Sequence, residues 1–206
     1  MANADFPRPY ALQFPGSRLV RGLMRLAGWR VLFDGLPARQ GVLAVYPHTS
    51  NWDTVVLLAG KVAMGVPMVF LSKASLFRVP LLGRYLRWMG GMPVDRSSPG
   101  SVTDQVIAAI AHARGTGEYY WLCLTPEGTR SYTEGLRSGF YRIAHEAGVP
   151  LGLVRLDYAR REISVVDFIR VSGDRPGDMA RIAEAFGDAK GLHPAQASPL
   201  RLLDGK

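Results

Sequence analysis

The chain has 206 residues, enough for one domain with a sizeable hydrophobic core and too few for two comfortable ones. Its composition, 48% hydrophobic and 20% charged, excludes a disordered protein. The formal net charge of +8 predicts attraction to polyanions, a class that includes nucleic acids, acidic lipid headgroups and phosphorylated small molecules.

Compartment signals are few. The single cysteine, Cys123, has no partner for an intramolecular disulfide, which indicates a reducing compartment such as the cytoplasm. Residues 1–9 lack a basic region followed by an apolar segment, so we expect no signal peptide. No apolar stretch reaches the roughly 18 residues of a transmembrane helix, so we expect no membrane span.

The chain begins with an irregular arm, residues 1–13, and continues with a helical pattern from Ser17 to Gly28. Leucines and arginines occupy two sides of that helix: Leu19, Leu23 and Leu26 on one, and Arg18, Arg21 and Arg25 on the other. The pattern predicts an amphipathic helix. Either its apolar side docks on the protein core, or the helix lies at a membrane surface with its arginines at the lipid phosphates.

Strand and helix patterns alternate from residue 41 to residue 157. Predicted strands are 29–34, 41–46, 68–71, 92–95, 118–124, 151–157 and 162–168, and predicted helices are 52–64, 102–114, 138–147 and 178–189. Segment 74–89 is apolar with interspersed arginines, and Pro80 interrupts it or begins a helical turn. The alternation predicts an α/β fold with a mostly parallel central sheet flanked by helices.

Two local signals refine these boundaries. Ser101 and Asp104 have the spacing of a capping box, which predicts that a helix begins at about residue 102. The tail from Lys190 contains proline and glycine, and we expect it to be loose.

A histidine follows directly on the predicted strand 41–46. The apolar run ends at Pro47, His48 comes next, and Asp53 lies near the start of the following helix, with Ser50 or Asn51 available as its N-cap. Ligands of open α/β sheets bind beyond the carboxyl ends of the strands. Because the spacing His-x4-Asp also arises by chance, this stretch alone is equally compatible with a solvated surface loop.

The loop Thr125-Pro-Glu-Gly-Thr-Arg-Ser131 follows another predicted strand. Gly128 allows backbone N–H groups to approach an anion, and Thr129 adds a hydroxyl. Arg130 provides a planar guanidinium that matches phosphate oxygens. Glu127 is unusual in an anion site, and we expect its carboxylate to fix neighbouring donors by accepting their hydrogen bonds.

Two further basic residues follow predicted strands, Lys73 after 68–71 and Arg96 after 92–95. Parallel strands end at one edge of the sheet, so the clusters at 48–53, 96 and 125–130 are expected to converge into one site. Lys73 is a further candidate, although a lysine at this position is as often an ordinary surface residue.

Three motifs in order resemble those of the glycerolipid acyltransferase superfamily, the lysophosphatidate acyltransferase-like enzymes. They are His48-x4-Asp53, Gly91-Met-Pro-Val-Asp-Arg96 and Pro126-Glu-Gly-Thr-Arg130, and the match spans roughly residues 41–157. The resemblance implies an acyltransferase domain at 41–190, between an arm and membrane-surface helix at 1–40 and a tail at 191–206. It also implies transfer of a fatty acyl group from acyl-CoA or acyl carrier protein to a lipid hydroxyl.

The same resemblance implies roles for individual residues. His48 is then the general base, and Asp53 orients its imidazole. Arg96 and the loop Glu127–Arg130 hold the phosphate of the acceptor, with Lys73 as an additional candidate. The protein is expected to be a peripheral enzyme on the inner, cytoplasmic face of the membrane, with the thioester as co-substrate and no other cofactor.

Three departures from the family pattern leave the acceptor open. Pro47 replaces the asparagine that commonly precedes the histidine, Thr125 replaces an aromatic residue, and Pro93 lies within the middle motif. The acceptor is lysophosphatidate, another lysophospholipid, or an amino-acid or sugar lipid.

Three alternative functions remain to be weighed. A non-catalytic binder of acidic lipid would keep the fold without needing the intact pair His48 and Asp53. Nucleic-acid binding rests on charge alone, because the arginines are spread out and no recognised motif occurs, so we expect no nucleic-acid partner. The remaining histidines, His112, His145 and His193, lack zinc-ligand spacing, so we expect no metal.

Overall fold

A computed structural model describes residues 5–94 and 99–203 of the chain. Its α-helices are α1 (Arg18–Leu26), α2 (Trp52–Met64), α3 (Pro80–Trp88), α4 (Pro99–Thr116), α5 (Gly139–Glu146) and α6 (Arg175–Phe186). Its strands are β1 (Arg30–Leu32), β2 (Gln40–Tyr46), β3 (Met68–Lys73), β4 (Gly91–Val94), β5 (Tyr120–Leu124), β6 (Leu151–Asp157) and β7 (Glu162–Ile169). Short 3₁₀ helices span Ala74–Arg78 and Pro194–Gln196.

The seven strands form one sheet in the order β1-β7-β6-β2-β5-β3-β4. All neighbouring strands are parallel except β6 and β7, which form an antiparallel hairpin. The predicted α/β fold with a mostly parallel sheet is therefore confirmed. Strand β2 lies at the centre, and all of its residues are buried because both faces of the sheet are covered.

The sheet separates two hydrophobic cores. Right-handed crossovers that run from β2 through β3 to β4 place α2 and α3 on one face, and the crossovers that return place α4 and α5 on the other. Alternate residues of β2 serve the two cores: Leu43 and Val45 pack with α1 and α2, whereas Val42 and Ala44 pack with α4, α5 and α6.

Two predicted helix starts are wrong. Helix α4 begins at Pro99, so Ser101 lies inside the helix and the proposed capping box is not its N-terminus. Helix α6 runs from Arg175 to Phe186 rather than from 178 to 189, because Pro176 occupies the first turn, where its missing N–H costs nothing. Neither Ser50 nor Asn51 is a standard N-cap of α2: Asn51 makes no side-chain cap bond, and the Ser50 hydroxyl accepts from the Trp52 N–H.

Helix α1 docks through a side other than its leucines. Met24 is buried, and Arg21 donates to the carbonyl of Ala63 on α2. The Ser17 hydroxyl caps the helix by accepting from the Val20 N–H. Its three leucines, Leu19, Leu23 and Leu26, are instead 57–87% exposed, so they do not dock on the core.

The C-terminal segment is not loose, contrary to expectation. Its N-terminal part bonds to the site loops, and Leu202 forms a bridge with Leu136. Ser198 is fully buried, and its carbonyl accepts a hydrogen bond from the Tyr46 hydroxyl at 2.9 Å. Polar backbone groups are well satisfied there, so proline and glycine in this tail shape a packed segment.

Candidate active site

His48 and Asp53 form a buried pair at the carboxyl end of β2. The distance from His48 Nδ1 to Asp53 Oδ2 is 3.0 Å, and the two residues are 8% and 0% exposed. Strand β2 ends at Tyr46, the Tyr46–Pro47 peptide bond is cis, and the chain then turns before α2 begins at Trp52. This loop brings the carboxylate of Asp53, in the first turn of α2, back to the imidazole of His48.

Three other groups donate to the Asp53 carboxylate. The N–H groups of Thr49 and Ser50 bond to Oδ2 at 2.7 and 2.9 Å, and the Tyr158 hydroxyl bonds to Oδ1 at 2.7 Å. Burial alone would raise the pKa of Asp53, but these bonds and the one from His48 hold that pKa below its ordinary value. The carboxylate therefore stays ionised beside the imidazole.

Tyr158 is a site residue that sequence reasoning missed. It lies in the turn between β6 and β7, and its ring packs edge-on against Trp29 with centroids 5.0 Å apart. Its N–H donates to the carbonyl of Lys190 at 2.8 Å. No local pattern marks it, because it reaches Asp53 across more than a hundred residues of chain.

Glu127 joins the histidine loop to the C-terminal segment. Its Oε2 accepts the His48 N–H at 2.6 Å, and its Oε1 accepts the Ser198 N–H at 3.1 Å. Desolvation raises the pKa of Glu127 to about 7, although both backbone donors oppose the shift. The side chain is buried and bonded to backbone on both oxygens, a geometry suited to fixing position.

The C-terminal segment also contacts Thr49, next to His48. The Thr49 hydroxyl accepts from the His193 N–H at 3.1 Å. Gly191 lies against the same side chain, where an added Cβ would come within 2.5 Å of the Thr49 hydroxyl. With its amide oriented to satisfy its neighbours, Gln196 donates to the carbonyls of Thr49 and Arg130. The segment thus links both motif loops.

The rest of the loop after β5 is arranged around Gly128. Its φ of +68° is the left-handed conformation that favours glycine, and its N–H donates to the carbonyl of Thr125. A Cβ there would meet Arg137, a second arginine at this loop that the motif analysis did not select. Thr129 accepts from the Ser131 N–H, and exposed Arg130 lines the neighbouring cavity.

The remaining two predicted site residues have different outcomes. Lys73 is the exposed last residue of β3, and it is Ser72 beside it that lines the cavity. Arg96 lies outside the described residues, so the predicted convergence is seen for His48, Asp53 and the loop 127–130.

A cavity of about 440 Å³ lies between the sheet and helices α2 and α3. His48 and Arg130 are at its polar part, and most of its wall is apolar: Leu43, Val45, Leu57, Leu58, Leu76 and Leu86. Lys61 and Cys123 also line it. Burial raises the pKa of the Cys123 thiol to about 12 and lowers the pKa of Lys61, which donates to the Met89 carbonyl. The cavity thus combines a mainly apolar wall with polar groups at His48 and Arg130.

Within the described residues, no three side chains of ligating type are grouped closely enough to hold a metal ion. The described site offers an imidazole whose ring is fixed by a buried carboxylate, the pair formed by His48 and Asp53.

The chain belongs to the Acyltransferase family, whose model matches residues 30–154. The resemblance drawn from the three motifs is thereby confirmed. The matched segment contains the His48–Asp53 turn and the loop after β5. It ends before Tyr158 and Ser198, so those two contacts lie beyond the shared region.

Among named proteins, the chain is 32% identical to a lyso-ornithine lipid O-acyltransferase of Pseudomonas aeruginosa, an alignment covering 72% of this chain and 59% of the relative. It is 27% identical to a lysophosphatidylcholine acyltransferase 2 of Danio rerio, over 65% of this chain and 25% of the relative. It is 30% identical to a chloroplastic 1-acyl-sn-glycerol-3-phosphate acyltransferase of Brassica napus, over 50% of this chain and 29% of the relative. The chain thus spans only about a quarter to three fifths of these relatives. No solved structure matches it significantly.

Proposed function

We propose that the protein is a lipid O-acyltransferase. It moves a fatty acyl group from the thioester of acyl-CoA or acyl carrier protein to the hydroxyl of a lysolipid. The observation that carries the proposal is the bonded pair His48–Asp53 at the polar part of an apolar cavity. Family membership and the lipid acceptors named for the relatives support the same reaction.

The hydrogen-bond geometry supports the proposal that His48 is the general base. The ionised Asp53 accepts a hydrogen bond from Nδ1–H, so Nε2 carries the lone pair. Nε2 takes the proton of the acceptor hydroxyl as its oxygen attacks the thioester carbonyl, and Asp53 stabilises the imidazolium that forms. When the C–S bond breaks, the imidazolium returns the proton to the departing thiolate, which leaves as a thiol.

Direct transfer accounts for the site without an acyl-enzyme. The thiol in the cavity wall, Cys123, stays protonated because burial raises its pKa to about 12. It therefore lacks the thiolate that a nucleophile needs, and the acceptor oxygen attacks the thioester itself.

The acceptor class is a lysolipid with a charged headgroup, lysophosphatidate or a related lysophospholipid. Arg130 at the cavity and Arg137 beside Gly128 offer guanidinium groups to a phosphate or carboxylate. Arg96 and Lys73 remain candidates for the same contact. An amino-acid lipid is the second candidate acceptor, favoured by the likeness to a lyso-ornithine lipid acyltransferase.

We also propose that the enzyme acts as a peripheral protein on the inner, cytoplasmic face of the membrane. Its acceptor is a membrane lipid, and α1 presents its leucines to the surroundings rather than to the core. Among the described residues, no helix has the length and apolarity to cross a bilayer.

The test is acyl transfer by wild type and His48→Ala, with lysophosphatidate and lyso-ornithine lipid as acceptors and mass spectrometry of the product. Loss of the base should lower kcat by about a thousandfold or more, while circular dichroism should show that the variant keeps its fold. His112→Ala, at an exposed histidine of α4, is the matched control and should be unchanged.

If His48→Ala had the wild-type turnover, His48 would not be the general base. Binding of acidic lipid by the wild type without any product would instead favour the non-catalytic binder.

A further inference from the structure

Exposed apolar side chains are concentrated on one side of the sheet. Of the fifteen exposed large hydrophobic residues described, eleven belong to α1, the start of α2, and the segment 74–88 that contains α3. They are Leu19, Leu23, Leu26, Trp52, Val55, Leu76, Val79, Leu81, Leu82, Tyr85 and Trp88. We call this set, with the arginines named next, the apolar–basic face. The sequence pattern indicated a membrane contact for α1 alone, so a contact through α3 is new.

The same elements are strongly basic. Exposed arginines lie among the apolar residues: Arg18, Arg21 and Arg25 on α1, and Arg78, Arg84 and Arg87 in the segment 74–88. The acid within α1, α2 and that segment is Asp53, which is buried in the catalytic pair. No ion pair between described residues involves the six arginines. The face therefore has uncompensated positive charge beside apolar surface.

Helices on the opposite face of the sheet differ. Neither α5 nor α6 has an exposed large hydrophobic side chain, and both contain acids, Glu146 and Glu184 among them. Arg142 on α5 is paired with Glu146. Exposed apolar side chains and arginines without an ion pair among the described residues are thus concentrated on the same face of the protein. A basic surface without a specific partner would not combine the two on one face.

The cavity meets this face. Leu76 lines the cavity and is also 39% exposed, and α2 contributes cavity-lining residues between its exposed Trp52 and its C-terminus. An acyl chain held in the cavity and a surface in contact with Leu76 are therefore adjacent. The exposed residues Tyr85 and Trp88 on α3 have the amphipathic rings that settle at a bilayer interface.

We infer that the apolar–basic face docks on an anionic phospholipid bilayer, with α1 and α3 as two separate contact points on either side of α2. Apolar side chains enter the interface while the arginines pair with lipid phosphates. The face spans three helices and presents side chains of both kinds, as an interfacial surface requires. The inference extends the proposed lipid chemistry, but its test needs no catalysis.

Vesicle flotation tests it with the full chain, using phosphatidylcholine alone and phosphatidylcholine mixed with phosphatidylglycerol. Wild type should bind the anionic vesicles, and added salt should weaken binding. Arg84→Glu and Trp88→Ser should each weaken it about tenfold, since the first reverses a positive charge and the second removes an interfacial anchor. Arg175→Glu on α6 changes the net charge as Arg84→Glu does and should have wild-type binding.

Thermal unfolding checks that the variants fold, and turnover of a water-soluble short-chain thioester should be unchanged in Arg84→Glu and Trp88→Ser. Equal loss in Arg175→Glu, or equal binding to uncharged vesicles, would overturn the inference. So would a dimer that Trp88→Ser abolishes without any vesicle binding, because the face would then belong to a second copy. Vesicle binding without acyl transfer would leave the docking face standing and refute the proposed reaction alone.

Discussion

At the scale of single residues, the site is an imidazole held from two directions. Asp53 fixes the ring of His48, while Glu127 fixes its backbone N–H. Both carboxylates are buried, yet burial has opposite net results. Four donors keep the pKa of Asp53 below its ordinary value, whereas two backbone donors leave the pKa of Glu127 raised to about 7. The number of donors decides between them.

Removing the Tyr158 hydroxyl should impair catalysis without abolishing it. In Tyr158→Phe, Asp53 loses one of its four donors, which costs about 2 kcal/mol of stability. The carboxylate of Asp53 is then held less firmly, and so is the His48 imidazole that it orients. We expect kcat to fall about tenfold with KM little changed.

The control for that substitution is Tyr119→Phe, at an exposed tyrosine just before β5, at the opposite edge of the sheet. A Tyr158→Phe variant that loses stability but keeps the wild-type kcat would show that Tyr158 supports packing only.

The raised pKa of Glu127 predicts that the difference in stability between Glu127→Gln and wild type depends on pH. Its folded pKa of about 7 lies above its ordinary 4.5, so the folded state binds the proton more tightly than the unfolded state. The cost of burying the charge is absent below pH 4.5, grows up to about pH 7 and is complete above it. Glu127→Gln does not titrate, so its unfolding free energy minus that of wild type should rise by about 3 kcal/mol over this range.

Denaturant unfolding of both proteins at several pH values measures the difference. A difference that is constant from pH 4.5 to about pH 8 would mean that ionised Glu127 is not penalised by burial.

At the scale of elements, the tail functions as part of the site. Ser198 donates its N–H to Glu127, and its hydroxyl bonds with Thr133. Together with the Thr49 contacts, these bonds hold the loops on either side of the catalytic pair. A tail with proline and glycine has no periodic pattern to announce this, which is why the sequence suggests looseness.

Two substitutions at Ser198 separate its backbone from its hydroxyl. Ser198→Pro removes the N–H and leaves a buried carboxylate oxygen of Glu127 without its donor, which costs about 3 kcal/mol and should lower kcat at least tenfold. Ser198→Ala keeps the N–H and should cost about 1 kcal/mol with activity kept. Equal kcat in the two variants would show that the bond to Glu127 has no part in catalysis.

Local patterns predicted the parts of the fold and site that are local. The strand before His48, helix α2 and the loop around Gly128 were all predictable, because strand pattern, turn residues and glycine act over a few residues. The bonds of Tyr158 and Ser198 were not, since they depend on how distant segments meet. The predicted start of α4 was wrong, because the Ser101–Asp104 spacing also occurs inside helices.

At the scale of the whole molecule, the sheet divides three tasks. Its carboxyl edge bears the catalytic pair, one face holds the cavity beneath α2 and α3, and the other face packs α4, α5 and α6 into a conventional core. The central strand β2 contributes to all three regions: its carboxyl end leads to His48, and its alternate residues pack on the two faces of the sheet.

The bond between Ser198 and Glu127 also sets an order of events during synthesis. When residues 30–154 have left the ribosome, the whole family-matched segment is present, but Glu127 still lacks its second donor. The donor that completes the support of the His48 loop arrives only with Ser198, 71 residues after Glu127. We expect the His48 loop to be fully supported only after Ser198 has packed against Glu127.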